Sequence, residues 1–288
     1  MSASLEAMRA ELRRAWPYAL VLALGLGTVV VVGANLSNAF PSQSRPFGWP
    51  GPASLENGVA MVRTEIVLAC TLPALLLGAT ALRGRDPRED PARTLLPALA
   101  TDAALLVVAA FLAALIAFVG AARSPPAALL AFGSAESLLA LAFFSMGYLA
   151  AAVASRHAVA AAFGVWAFFT LVYENWTRVI LFRQVGYDPL ASGDFPTWFW
   201  VSQGLSPLTA YRGVLILWRP GFMDYLEKAA LSGAALPAWM TPATFAGILL
   251  VMWVLAPVAL ALGAWWVRGR IARAGSPSGL WQKAGIAR

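Results

Sequence analysis

Six runs of apolar residues, each near the length of a membrane crossing, constrain this chain more than any motif does. They are Trp16–Ala34, Ile66–Leu82, Leu99–Ala122, Ser137–Ala154, Val159–Val172 and Phe245–Val267. A bilayer core of about 30 Å takes about 20 apolar residues per helix. Residues of the types AVILMFWYC make up 60% of the chain and charged residues only 12%, against about 25% charged in soluble domains. The expected fold is an all-α polytopic membrane protein with six transmembrane helices. Residues 1–272 form one transmembrane domain. Residues 273–288 form a basic tail whose Gly, Ser and Pro content suits disorder.

A net charge of +7 would suggest nucleic acid in a soluble protein. Here the arginines sort by loop instead. Thirteen of the 21 Lys and Arg fall before span one, between spans two and three, at Arg156, or after span six. The other eight are spread thinly over the remaining loops. That bias puts both termini in the cytoplasm and requires an even number of spans. Many tryptophans, among them Trp16, Trp176, Trp198, Trp200, Trp239, Trp265 and Trp266, lie near span ends, as in interfacial belts. The first run is longer than a signal-peptide core and lacks a persuasive cleavage site, so it is read as a true span.

Several chemistries find no support. The two lysines, Lys228 and Lys283, belong to no phosphate-cradling GxxxxGK[ST] loop. The single histidine, His157, excludes an HExxH zinc site and sits in a tight turn, the wrong depth for a Ser–His hydrolase. Cys70 and seven scattered methionines form no metal relay. No catalytic residue, cofactor site or metal site is assigned.

Four segments stand out. Leu5, Met8, Leu12 and Trp16 are spaced for an amphipathic helix lying in the interface before span one. Arg83–Thr94 (RGRDPREDPART) carries four arginines and three acids. Asp90 before Pro91 predicts a helix start and a short helix, Pro91–Leu96. The segment suits docking by a soluble partner, and equally an ordinary solvated loop. Between spans five and six, Thr197–Val201, Leu205–Trp218 and Phe222–Leu231 read as short helices punctuated by prolines. They form an outer gate, a docking face for a periplasmic protein, or a cap on the span ends. Among charges in or near the membrane, Glu136 falls in the outer part of span four, and Glu174 and Arg178 lie one helical turn apart near the end of span five. Asp102 reads as a capping or interfacial acid. Pro73 and Pro257 predict kinks.

The layout resembles the ABC-2 type permease family. Ser145–Glu174 (SMGYLAAAVASRHAVAAAFGVWAFFTLVYE) is similar to that family's fourth span, turn and fifth span. Leu205–Arg212 (LSPLTAYR) resembles the NP-x-x-A-[FY]-R motif of the subgroup that includes the permease of the nitrous oxide reductase maturation system, with Ser206 in place of Asn. Met252–Ala272 resembles the last span. The family's acid-Arg-Gly-Thr step has its counterpart in Arg88–Thr94, which lacks the Gly-Thr pair. The resemblance implies a non-catalytic bacterial inner-membrane subunit that pairs with a second copy of itself. A separate cytoplasmic ATP-binding subunit would hold ATP and magnesium. It implies that Arg85, Arg88, Glu89, Asp90, Arg93 and Thr94 contact that subunit, and that Glu136, Glu174 and Arg178 bias an outer gate or translocation path. A periplasmic accessory protein and a role in metalloenzyme maturation would follow from the subgroup. An ion-driven secondary carrier and a non-transporting scaffold are the alternative classes.

Overall fold

In lipid a chain must satisfy its backbone hydrogen bonds within each segment, which leaves helices or closed barrels. The computed structural model describes residues 2–39, 54–121, 124–186, 195–223 and 236–274, without the side chains of 2–7, 37–39 and 91–93. Every regular element among them is helical. In chain order these are α1 (Ser2–Ala39), α2 (Leu55–Met61), α3 (Arg63–Thr80), α4 (Pro91–Gly120), α5 (Pro126–Ala154), α6 (Ala158–Ala167), α7 (Glu174–Val185), α8 (Thr197–Gly204), α9 (Pro207–Trp218), α10 (Pro242–Ile248) and α11 (Ala256–Ala274). A 3-10 turn, Ser155–His157, joins α5 to α6. One π-helical stretch, Phe168–Tyr173, joins α6 to α7, and another, Leu249–Leu255, joins α10 to α11.

Five stretches are long and apolar enough to cross a membrane: Met8–Leu36, Arg63–Thr80, Thr94–Gly120, Pro126–Val185 and Pro242–Arg273. The fourth of these has 60 residues and folds back on itself. Ser155 takes a positive φ of 40°, which breaks the helix there. Glu136 and Glu174 stand at equal sequence distances from Ser155, and both reach neighbouring residues of α9. The two legs therefore run antiparallel.

The interior is built from small residues, so backbones come close. α3 crosses α5 at Gly78 and Gly147. A methyl on Gly78 would lie 2.1 Å from the Phe144 carbonyl oxygen, and one on Gly147 would lie 2.2 Å from that of Leu75. α1 packs along α3 and α4, and α11 packs against α5. The outward sides of α4 and α11 keep Val108, Leu112, Leu115, Val119, Leu260 and Ile271 exposed, as lipid-facing residues would be.

Several boundaries differ from the sequence expectations. The lead-in before span one is not a separate element, because α1 is unbroken from Ser2 through Pro17 to Ala39. Its early turns are held to the bundle by Glu11 and Arg14, which pair with Arg85 and Asp102. The short helix expected at Pro91–Leu96 is instead the first turn of α4, which continues through Pro97 to Gly120. α5 begins at Pro126, the earliest start the sequence allows for the fourth run. The predicted kink at Pro257 takes the form of the π-helical stretch just before it, where the chain accommodates the missing donor. The other π-helical stretch, Phe168–Tyr173, had no sequence signal. The two meet through Phe169 and Trp253, edge to face at 4.9 Å. Of the third short helix, Phe222–Leu231, all but the 3-10 turn Pro220–Phe222 and Met223 lies outside the described residues, as does the tail beyond Ala274.

Candidate functional site

Two charged clusters mark the two ends of the bundle. The first gathers the start of α1, the end of α3 and the start of α4. Arg14 is its hub. Its Nε donates to Glu11 Oε1 at 2.6 Å, its Nη1 to the Leu77 carbonyl at 3.3 Å, and its Nη2 to Asp102 Oδ2. Arg85 repeats the device. It donates from Nε to the Ala81 carbonyl at 2.9 Å, from Nη1 to the Thr94 carbonyl at 3.1 Å, and from Nη2 to Glu11 Oε2. One guanidinium thus closes the end of α3 onto α4 and α1. Asp102 is buried, and its Oδ1 has no hydrogen-bond partner among the described residues.

This places the coupling candidates unequally. Arg85 is turned into the bundle. Arg88, Glu89 and Asp90 are exposed. The Arg88 backbone N–H is fixed by Asp86 Oδ1 at 2.9 Å, and its side chain donates to the Ala272 carbonyl at 3.3 Å. The segment also rests on α11, since a methyl on Gly269 would lie 2.3 Å from the Pro87 carbonyl oxygen. Thr94 lies in the first turn of α4, its hydroxyl on the Asp90 carbonyl. The Arg93 side chain lies outside the description.

The second cluster surrounds α9. Ser206 caps this helix by accepting from the Thr209 N–H, and Pro207 occupies the first helical position. Serine and asparagine both serve as N-caps, so the Ser206 departure from the motif keeps the turn. Three acids from three elements then hold α9 and the residue after it. The Tyr211 hydroxyl donates to Glu136 Oε1 on α5. Arg212 donates to Glu174 Oε1 on α7 at 2.6 Å. Arg219 pairs with Glu56 on α2 at 2.8 Å. Arg178 also meets Glu174, so one carboxylate serves two arginines. Phe222 stacks on the buried Phe132 with ring centres 6.3 Å apart. Two of the three expected gate residues, Glu136 and Glu174, therefore converge on one helix, and Arg178 joins them through Glu174. Tyr211 and Arg212 had a signal, the LSPLTAYR motif. Glu56 and Arg219 had none, because they are distant in sequence, and for Glu11 and Arg14 only their own pairing three residues apart was local, their partners Arg85 and Asp102 being far along the chain.

The chemistry of both clusters is that of adjustable clamps: fixed charges paired across helix ends. Among the described residues no group of three or more His, Cys, Asp or Glu could hold a metal ion. Glu136 is fully buried, and its second oxygen, Oε2, has no hydrogen-bond partner among the described residues. Tyr211→Phe strips the hydroxyl donor from that carboxylate. An unsatisfied buried group costs about 1–3 kcal/mol. We expect thermal unfolding in detergent to fall accordingly, and Glu136→Leu combined with Tyr211→Phe to recover most of the loss. A double variant no more stable than Tyr211→Phe alone would show that the pair does not hold α9.

Compared with known proteins, the chain matches no family model and no curated protein.

Proposed function

We propose that the chain is the membrane subunit of an ABC transporter, or of an ABC-driven complex that transmits movement across the membrane. In this assignment the chain crosses the membrane six times, the 60-residue stretch counting as two crossings, with both termini in the cytoplasm. Two copies pair, and each is docked on a separate subunit that binds and hydrolyses ATP. The chain itself does no covalent chemistry.

One observation carries the proposal. The exposed Arg88–Asp90 segment is wired to four helices at once. Arg88 reaches α11, and Arg85 close by bonds the end of α3, the first turn of α4 and Glu11 of α1. A partner pressing on Arg88, Glu89, Asp90 and Arg93 would therefore move the bundle as a unit. Such a lever has a use only if something soluble pushes it. At the other end, α9 is held by separate acids on α2, α5 and α7. Relative movement of those helices strains or releases Glu136, Glu174 and Arg178, which suits an outer gate. The exposed face of this cap would take a periplasmic accessory protein, and a part in metalloenzyme maturation is the specific form of this proposal.

Arg88→Ala, Glu89→Ala and Asp90→Ala together should uncouple the ATPase. These side chains are exposed, so membrane insertion and yield should stay near the wild-type level. In proteoliposomes holding the complete complex, ATP hydrolysis should lose its dependence on the membrane subunit. Wild-type coupling in the triple variant would sink the docking assignment.

A further inference from the structure

Between the ends of α3, α5 and α11 and the 3-10 turn at Ser155 lies a cavity of about 610 Å³. Its walls carry four arginines, Arg83, Arg85, Arg156 and Arg268. Among the described residues no carboxylate lines it. Arg85 is neutralised by Glu11, and Arg268 donates only to the Val153 carbonyl, at 2.6 Å. The guanidiniums of Arg83 and Arg156 make no hydrogen bond or ion pair among the described residues. Three like charges thus face one small space with no counter-charge supplied by the described chain, an arrangement that attracts an anion.

A buried indole lines the same wall. Trp265, also in the wall, is 4% exposed, yet its indole N–H is buried without a hydrogen-bond partner. Buried donors are normally satisfied. Apart from Thr80 and Ser155 the remaining wall is largely apolar, and it includes Val159 of α6, which is 42% exposed. A ligand for this cavity therefore needs an anionic head with several acceptor oxygens and an apolar tail that can leave along α6. Its volume lies within the range of about 300–1,000 Å³ usual for specific small-ligand pockets.

We propose that this cavity binds the phosphate headgroup of an anionic phospholipid from the leaflet at the arginine-rich end. Arg83, Arg156 and Arg268 hold the phosphate oxygens, and an acyl chain runs past Val159. Basic pockets between helices at the cytoplasmic side of membranes recognise such headgroups. The site needs only a membrane protein and does not depend on an ATPase partner. A lipid seated here would link α3, α5, α6 and α11 at the end where the proposed lever stands.

The test uses the full-length protein, purified in detergent and exposed to an equal mixture of phosphatidylglycerol and phosphatidylcholine. Retained lipid is read by native mass spectrometry. The wild-type protein should keep phosphatidylglycerol selectively. Arg83→Gln with Arg156→Gln, which removes no hydrogen bond seen in the structure, should weaken retention roughly thirtyfold. Arg9→Gln with Arg13→Gln removes the same charge at the same end but outside the cavity, and should change retention little. Equal losses in the two arginine pairs would mean diffuse surface attraction and overturn the site. Equal retention of the two lipids would overturn it as well. Displacement of bound lipid by millimolar inorganic phosphate would make it a free-anion site and overturn the lipid assignment.

Discussion

Gly147→Ala is expected to cripple this protein, although it adds a single methyl group to a helix in which 10 of 29 residues are already alanine. The methyl would lie 2.2 Å from the Leu75 carbonyl oxygen and 2.8 Å from the Ala79 nitrogen. Both are backbone atoms of α3, so no side chain can swing aside. The helices must separate along the most intimate crossing in the bundle, and the reciprocal contact at Gly78 opens with it. Overpacking costs about 1–3 kcal/mol and occasionally more, and a rigid backbone neighbour puts this site at the upper end. In membranes such close contact is itself a main source of helix association. Thermal unfolding in detergent should drop sharply, with less folded protein recovered from the membrane. Gly263→Ala is the matched control. Nothing lies within 4 Å of the added methyl there, so stability should hold or rise slightly. Equal behaviour of the two variants would mean that α3 and α5 do not cross at these glycines.

Arg14→Ala has the second large expected effect. It leaves Asp102, which is 1% exposed, without its ion-pair partner, and it removes a donor from the Leu77 carbonyl and from Glu11 Oε1. Breaking a buried pair by removing one partner costs about 3–5 kcal/mol, much of it the penalty of the stranded charge. Arg14 is itself 26% exposed in its side chain, which places the loss near the lower bound. The sign of the rescue is informative. Arg14→Met with Asp102→Asn removes both charges and should regain most of the stability, since a buried ion pair adds little over a neutral replacement. Chemical denaturation of wild type, single and double variants measures this directly. A single variant as stable as wild type would show that the Arg14 cluster does not tie α1 to α4. If the lever operates as proposed, the double variant should fold and couple less well, because the direct Arg14–Asp102 link from α1 to α4 is gone while the Arg85 link remains.

Much of the helical layout could be read from the chain. Apolar runs fixed where helices lie, and the turn at Ser155–His157 and the opening of α9 at Pro207 fall where small residues and proline place them. Glu174 and Arg178 meet because a four-residue spacing on a helix allows little else. The clusters were legible only in part. Glu56 and Arg219 are 163 residues apart, and Arg85 and Glu11 are 74 apart. No local pattern links such pairs, since their meeting depends on how whole helices stack. For the same reason Arg85, which as a sequence feature looks like its exposed neighbour Arg88, faces the opposite way. The close crossing was hidden too. Gly78 and Gly147 are two of 24 glycines, and only the packing of α3 on α5 distinguishes them. The π-helical stretches escape sequence reading because their composition is that of any apolar helix. Pro257 gave the single clue, and it marked only the second of them.

The central claim is that a soluble ATPase presses on the Arg88–Asp90 segment, and co-purification from the native membrane tests it most directly. The tagged chain would be isolated in mild detergent, its partners identified by mass spectrometry, and the eluate assayed for ATP hydrolysis. The proposal predicts a stoichiometric P-loop ATPase with measurable activity, absent or much reduced when Arg88, Glu89 and Asp90 are replaced by alanine. A homogeneous eluate of this chain alone, folded but without ATPase activity, would contradict it.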